Sequence, residues 1–222
     1  MRRLDFSPSV AGLAYVAERT ADMASAALHE TKSTMSDFPL YDETNAPEAS
    51  KALLEDSKKK YGMVPNLHAA MAAAPGLLEA YKTIGDLFSA SSFNTDELTV
   101  VWQTINVEHG CHYCVPAHSA IAKQMKVDDA ITEALRNETP LPSDRLEALR
   151  TFTLAVTRQR GEVRPDQLQA FLDAGFDRQN VLEVILGLAQ KVMSNYTNHI
   201  VQTPVDAPFQ PFAWTKSAAA AE

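Results

Sequence analysis

Asn106-Val107-Glu108-His109-Gly110-Cys111-His112-Tyr113-Cys114-Val115-Pro116-Ala117-His118 holds both cysteines of the 222-residue chain and three of its six histidines. Cys111 and Cys114 are three apart, and His118 stands four beyond Cys114 and seven beyond Cys111. On a helix these offsets bring all three groups to one face. Gly110 reads as the end of one helix, and Pro116 is tolerated only in the first turn of the next, which puts the cysteines at a helix N-terminus. Unpaired backbone N–H groups and the positive end of the dipole favour thiolate over thiol there. His118, one turn on, is placed to exchange a proton with a thiol at neutral pH. Cβ atoms at i and i+3 of a helix lie about 5–6 Å apart, whereas a relaxed disulfide wants about 3.5–4.5 Å. A bridge between this pair needs a distorted first turn, which suits a readily reduced, cycling disulfide better than a structural one.

The flanks of this segment read as helices. Upstream, Thr95-Asp96-Glu97 opens a run to about His109, and Pro75 to Ala90 carries Leu77, Leu78, Tyr81, Ile84, Leu87 and Phe88 at steps of three and four. Ala46 to Tyr61 is announced by Asn45 as a cap and an early Pro47, and stops at Gly62; Asn66 to Ala73 follows. Downstream come runs at about 112–126, 127–137, 142–160, 165–173 and 178–201, the last two separated by Gly175 and Asp177. No stretch alternates apolar and polar residues with β-branched enrichment, and neither Asn-Gly nor Asp-Gly occurs as a hairpin signal. Only 8 glycines are present, in keeping with an all-α chain, since glycine costs about 1 kcal/mol in a helix interior. Val181, Leu182, Val184, Ile185, Leu188, Ala189 and Val192 are apolar on more than one face, so the last helix is expected at the centre of the core or at a subunit interface. Phe209, Phe212 and Trp214 are expected to anchor the tail on the body or on a partner.

Composition excludes several classes. A net charge of −8 argues against a nucleic-acid surface, which needs clustered Lys and Arg. No apolar run approaches the ~20 residues of a membrane-spanning helix. Two cysteines cannot staple a disulfide-rich secreted scaffold, and a chain of this size buries roughly 70% of its unfolded surface without one. A soluble, cytoplasmic protein with neither nucleic-acid nor membrane partners is the expectation.

The N-terminus reads separately. Met1-Arg2-Arg3 is followed by no uninterrupted apolar segment, and Asp5, Glu18, Asp22 and Glu30 argue against a mitochondrial presequence. Val10, Leu13, Val16, Ala17, Met23, Ala24 and Ala27 fall at roughly helical spacing, as in an amphipathic appendage that docks on the body or on a neighbouring subunit. The other reading makes Met35 the natural start and residues 1–34 the product of an upstream start codon.

Three chemistries compete for the cysteine segment. A c-type haem site requires His directly after the second cysteine, where Val115 stands. Zinc would draw on Cys111, Cys114 and His118 with His109, His112 or Glu108, but structural zinc usually takes two separated pairs and no second pair exists. Two inert buried cysteines would not need such spacing beside three histidines.

Cys-x-x-Cys-x-x-x-His on a helix, in an all-helical chain of this size, resembles the carboxymuconolactone decarboxylase and alkyl hydroperoxidase D superfamily, most closely its peroxidase-related branch. The resemblance extends over roughly residues 38–215, through Tyr61-Gly62-Met63-Val64-Pro65-Asn66-Leu67, the Cys111–His118 motif, Ser194-Asn195-Tyr196-Thr197-Asn198-His199, Asp206 and Trp214. It implies an alkyl hydroperoxidase D-like helical bundle over residues 38–222, with residues 1–37 as a helical or disordered extension. It also implies a thiol-dependent peroxidase acting on hydrogen peroxide or organic hydroperoxides, without metal or other cofactor. By position Cys114 is then the peroxidatic nucleophile, Cys111 the resolving thiol that condenses with its sulfenic acid, and His118 a member of the proton relay. An external dithiol reductant and a homo-oligomer (dimer, trimer or hexamer) follow from the same resemblance. Two other functions share its features: a carboxymuconolactone decarboxylase-type lyase, which generally lacks the cysteine pair, and a non-enzymatic redox or zinc-sensing module.

The chain departs from the alkyl hydroperoxidase D pattern at one place. A glutamate twelve residues before the first cysteine is replaced by Thr99, which cannot act as a base near neutral pH. Glu97 lies about 200° around the helix from it. Glu108, three residues before Cys111, is the expected substitute and would deprotonate the cysteines together with His118; a solvated carboxylate is the alternative. His112 is expected to point away from the cysteine face, and His68 and His109 to be structural or solvent-facing. Asn198 and His199 either line the pocket from a neighbouring helix or make ordinary helix-end hydrogen bonds.

Overall fold

The computed structural model describes residues 38–216, so the appendage expected over residues 1–37 lies outside the described residues. The helices are α1 Glu48–Tyr61, α2 Asn66–Met71, α3 Pro75–Ser89, α4 Thr95–Glu108, α5 Cys114–Gln124, α6 Asp129–Arg136, α7 Asp144–Arg158, α8 Pro165–Asp173 and α9 Arg178–Val201, followed by a 3-10 turn at Ala207–Phe212. No strand occurs among the described residues.

Local chemistry explains most boundaries. Asn94 and Glu97 close a reciprocal capping box at the start of α4, and Asp177 with Asn180 does the same for α9. Gly62 ends α1 in the left-handed conformation at φ 74°, where its N–H bonds the Lys58 carbonyl. At the other end of α1 the expected cap shifts: Asn45 spends its side-chain oxygen on the Asp42 N–H at 2.8 Å, and Pro47 precedes the first helical residue. The expected helix across both cysteines is also corrected. Gly110 turns the chain at φ 65°, and α5 begins only at Cys114, leaving Cys111 in the preceding turn.

The core has two parts. Phe88, Val100, Val101, Ile105, Leu149, Phe152, Phe171 and Val184 fill the larger, where Phe171 stacks between Phe152 and Phe176 at centroid distances of 4.2 and 4.4 Å. Each such fully buried side chain contributes roughly 1.5–3 kcal/mol of transfer free energy. Leu54, Met71, Leu78, Cys111, Tyr113 and Cys114 form the smaller one. The tail closes over it. Phe209 meets the Tyr113 ring edge-on, Trp214 Nε1 donates to the Arg136 carbonyl at 2.9 Å, and Arg136 in turn donates to the Phe212 and Ala213 carbonyls.

Helix α9 packs on α3, α4 and α5. Its approach is close at Gly187, where a Cβ would lie 2.8 Å from the Phe88 ring and 2.9 Å from Val101 Cγ1. The faces of α9 are unusual. From Gly187 onward its buried residues are Gly187, Gln190, Lys191, Ser194, Asn195 and Asn198, whereas Leu182, Ile185, Tyr196 and Ile200 are exposed. The helix expected to be central therefore brings polar side chains inward, and they meet the cysteine segment. No helix among the described residues is long and apolar enough to cross a membrane.

Candidate functional site

Gly110 and the start of α5 set the two sulfurs beside one another. The Cys114 N–H donates to Cys111 Sγ at 3.2 Å, so the first sulfur takes the place of a capping side chain. Pro116 sits in the first turn of α5, where its missing N–H costs nothing. Both thiols are free and buried.

Helix α9 supplies the rest. Asn198 Nδ2 donates to Cys114 Sγ at 3.1 Å, while Asn198 Oδ1, also buried, has no hydrogen-bond partner. Lys191 is fully buried and places Nζ 2.7 Å from His118 Nε2 and 6.0 Å from the Tyr81 ring centroid. Trp102 covers the His118 ring at a centroid distance of 5.0 Å and is itself held by Nε1–H donation to Gln190 Oε1 at 2.7 Å.

These contacts separate the two cysteines electrostatically. Burial would push the Cys114 thiol up, but a hydrogen bond from Cys111, the Lys191 charge and the amides of Asn195 and Asn198 outweigh it and bring Cys114 down to about 7. Cys111 goes the other way: its hydrogen bond to Cys114, burial and the Cys114 charge hold it as a thiol. The balance favours Cys111 as the thiol and donor and Cys114 as the thiolate. Burial lowers Lys191 to about 8, against the upward pull of Cys114 and Cys111. Burial and then Lys191 hold His118 neutral, well below its ordinary value, so Nε2 accepts from the ammonium. Tyr81 stays a phenol, pushed up chiefly by burial.

A second polar chain runs behind the sulfurs. His109 Nδ1 meets Asn195 Oδ1 at 2.8 Å, Asn195 Nδ2 donates to Asn106, Asn106 to Gln103, and Gln103 to Ser119 and the Val115 carbonyl. Arg136 closes it with a 2.9 Å bond to Ser119. Buried polar groups are retained cheaply only when bonded in this way, and the chain fixes α4, α5 and α9 in register behind the pair.

No family model and no curated protein matches this sequence at significance. Solved structures do match. A peroxidase-related protein of Ralstonia eutropha JMP134, described as an alkylhydroperoxidase AhpD core, superposes with a TM-score of 0.71 at 20% identity, covering 79% of this chain and 94% of that one. The fold is that of alkylhydroperoxidase D. An uncharacterized peroxidase-related protein of Silicibacter sp. TM1040 shares it, with a TM-score of 0.67 at 22% identity over 81% and 95% of the two chains. So does the debrominase Bmp8, with a TM-score of 0.65 at 16% identity over 79% and 95%, so one alkylhydroperoxidase D-like scaffold carries more than one activity.

Within this alkylhydroperoxidase D fold the structure brings together Cys111 and Cys114, and places His118 against Lys191. Glu108, expected to help deprotonate the cysteines, is instead paired with Arg158. Its carboxylate forks onto Arg158, with Oε1 at 2.8 Å from Nε and Oε2 at 2.7 Å from Nη2, and that pair holds it below the usual carboxylate range. A carboxylate so engaged is a poor base for the cysteines. Thr99 bonds the Thr95 carbonyl of its own helix, and Glu97 is taken by Asn94 and Arg145, so neither rebuilds the glutamate position. His112 meets the Thr203 carbonyl at 3.0 Å, and His68 is buried against Ser57 between Tyr61 and Tyr81. His109, expected to be structural or solvent-facing, joins the Asn195 chain, and of the Asn198–His199 pair it is Asn198 that reaches the sulfur. Among the described residues no set of three or more His, Cys, Asp or Glu is arranged to hold a metal ion. Sequence reasoning missed Lys191 altogether; the signal available was a lone charge among the small and polar residues of the second half of α9.

Proposed function

We propose that the chain is a thiol-dependent peroxidase that reduces hydrogen peroxide or an organic hydroperoxide through Cys114 and Cys111. The observation that carries this reading is the asymmetric pair: a Cys114 sulfur at a helix N-terminus, bonded by Asn198 Nδ2 at 3.1 Å and lowered toward thiolate, beside a Cys111 sulfur that accepts the Cys114 N–H at 3.2 Å and is held as a thiol. A nucleophile needs the thiolate, and a resolving thiol must wait its turn.

In the first step the Cys114 thiolate attacks the terminal peroxide oxygen. The S–O bond forms, the O–O bond breaks, and the alkoxide leaves as alcohol on taking one proton, giving the Cys114 sulfenic acid. In the second, the Cys111 sulfur attacks Cys114, the S–O bond breaks, water leaves, and a disulfide forms. An external dithiol returns the pair to two thiols by exchange. Asn198 serves both states, with Nδ2 on the sulfur and the unpartnered Oδ1 as acceptor for the hydroperoxide O–H.

Turnover of hydroperoxide with a dithiol, followed in wild type, Cys111→Ser and Cys114→Ser, tests the assignment. Cys114→Ser is expected to form no sulfenate. Cys111→Ser is expected to form it and fail to close the disulfide. An inert wild type, or sulfenate trapped at Cys111, overturns the reading.

A further inference from the structure

Lys191 stands where the chemistry needs a proton and the sequence offers no carboxylate. Its side chain is fully buried on α9, and the groups facing it are Cys114, Cys111 and His118 from the α5 segment and Tyr81 from α3. The other candidates are committed elsewhere. Glu108 is paired with Arg158, Glu97 with Arg145, and the Thr99 hydroxyl with the Thr95 carbonyl. His118 is neutral and already accepts from Lys191, and the Tyr81 phenol is held protonated.

We propose that Lys191, held by His118 Nε2, is the acid–base group of the cysteine cycle, and that the site alternates between a thiolate–ammonium pair when reduced and a neutral amine when the disulfide is closed. The oxidant, a hydroperoxide, rests on the peroxidase reading; the two charge states of Lys191 do not. The reduced site holds a Cys114 thiolate, a Cys111 thiol and the Lys191 ammonium. When Cys114 attacks the peroxide, Lys191 gives one proton to the departing alkoxide and becomes an amine. The amine takes the proton of Cys111 as that sulfur attacks the sulfenic acid, then returns it to the departing hydroxide, which leaves as water. The sum is dithiol plus hydroperoxide giving disulfide, alcohol and water, with Lys191 neutral at the end. Burial explains the last state: once the disulfide forms, no thiolate remains to balance an ammonium with no contact with solvent. Reduction by the external dithiol restores the proton together with the thiolate. His118 is a positioning residue, since its hydrogen bond is to Lys191 rather than to sulfur.

The test follows lysine Cε and Nζ signals by NMR in the full chain, once with the pair reduced and once with the disulfide closed by diamide. No hydroperoxide is needed. Lys191 is assigned as the signal that shifts in Cys114→Ser. Its midpoint is expected near 8 in the reduced protein and at least about one pH unit lower in the disulfide form, as loss of an adjacent opposite charge dictates. The same midpoint in both forms, or a neutral amine at pH 7 in both, overturns the proposal. Lys191→Met supplies a second readout: the pH midpoint of Cys114 ionisation is expected to rise by about 1–3 units. If that variant does not fold, the wild-type titration decides. A moving Lys191 midpoint with a wild type inert to hydroperoxide would sink the peroxidase reading and leave the proton role standing; turnover with an unmoved midpoint would do the reverse.

Discussion

Replacing Asn198 by leucine deletes the amide that donates to Cys114 Sγ at 3.1 Å while keeping similar volume. The Asn198 Oδ1 has no partner, so its loss strands no donor. A hydrogen bond to a charged group contributes roughly 1.5–3 kcal/mol, and one pKa unit corresponds to about 1.36 kcal/mol. The Cys114 midpoint should therefore rise by about 1–2 units. At a pH equal to the wild-type midpoint the thiolate population falls from a half to between about a tenth and a hundredth. The remaining thiolate is a better nucleophile, because a Brønsted slope of about 0.4–0.5 returns about threefold per unit. The two effects oppose each other and by themselves slow oxidation only about two- to eightfold; loss of the Oδ1 acceptor for the hydroperoxide adds to that slowing. The midpoint is the cleaner signal, read from the ultraviolet absorbance of the thiolate against pH. An unchanged or lowered midpoint in Asn198→Leu would refute the claim that this amide stabilises the nucleophile.

Other perturbations test the frame around the site. Gly187→Ala places a Cβ 2.8 Å from the Phe88 ring and 2.9 Å from Val101 Cγ1, and such overpacking should cost about 1–3 kcal/mol in urea denaturation; wild-type stability would contradict the close approach of α9. His68 is brought from 6.5 down to about 4 by burial and the charges of Lys82 and Lys60. A depressed folded-state value means that the unfolded chain binds the proton first, so this stability is whole above pH 6.5 and is lost as pH falls toward about 4, by up to about 3 kcal/mol. His68→Gln should flatten that slope between pH 7 and pH 4.5, and an unchanged slope counts against it. Glu108→Gln removes a partly exposed pair with Arg158, so peroxide turnover should stay near wild type and stability should drop by less than about 1 kcal/mol; a turnover loss of tenfold or more would return Glu108 to the relay.

The sequence made the helices legible because their ends carry their own chemistry. The Asn94–Glu97 box, Gly62, Gly110 and the Asp177 cap mark boundaries that no tertiary contact has to supply. The cysteine pair was legible for the same reason, being local. What sequence periodicity could not show was which face of α9 turns inward. Hydrophobicity would bury Leu182, Ile185 and Ile200, but packing buries Gln190, Lys191, Asn195 and Asn198, because their partners lie on α4 and α5. Those contacts span 73 to 89 residues of chain, beyond anything local spacing reports. Glu108 illustrates the converse. Nearness to Cys111 in sequence said nothing of Arg158, fifty residues away, which holds it.

The most direct measurement adds one equivalent of hydroperoxide to the reduced chain and counts free thiols by intact mass and peptide mapping. Both thiols should disappear together into a Cys111–Cys114 disulfide, with no sulfenate persisting on either sulfur, and a dithiol should restore them. Two intact thiols after that addition would contradict the account.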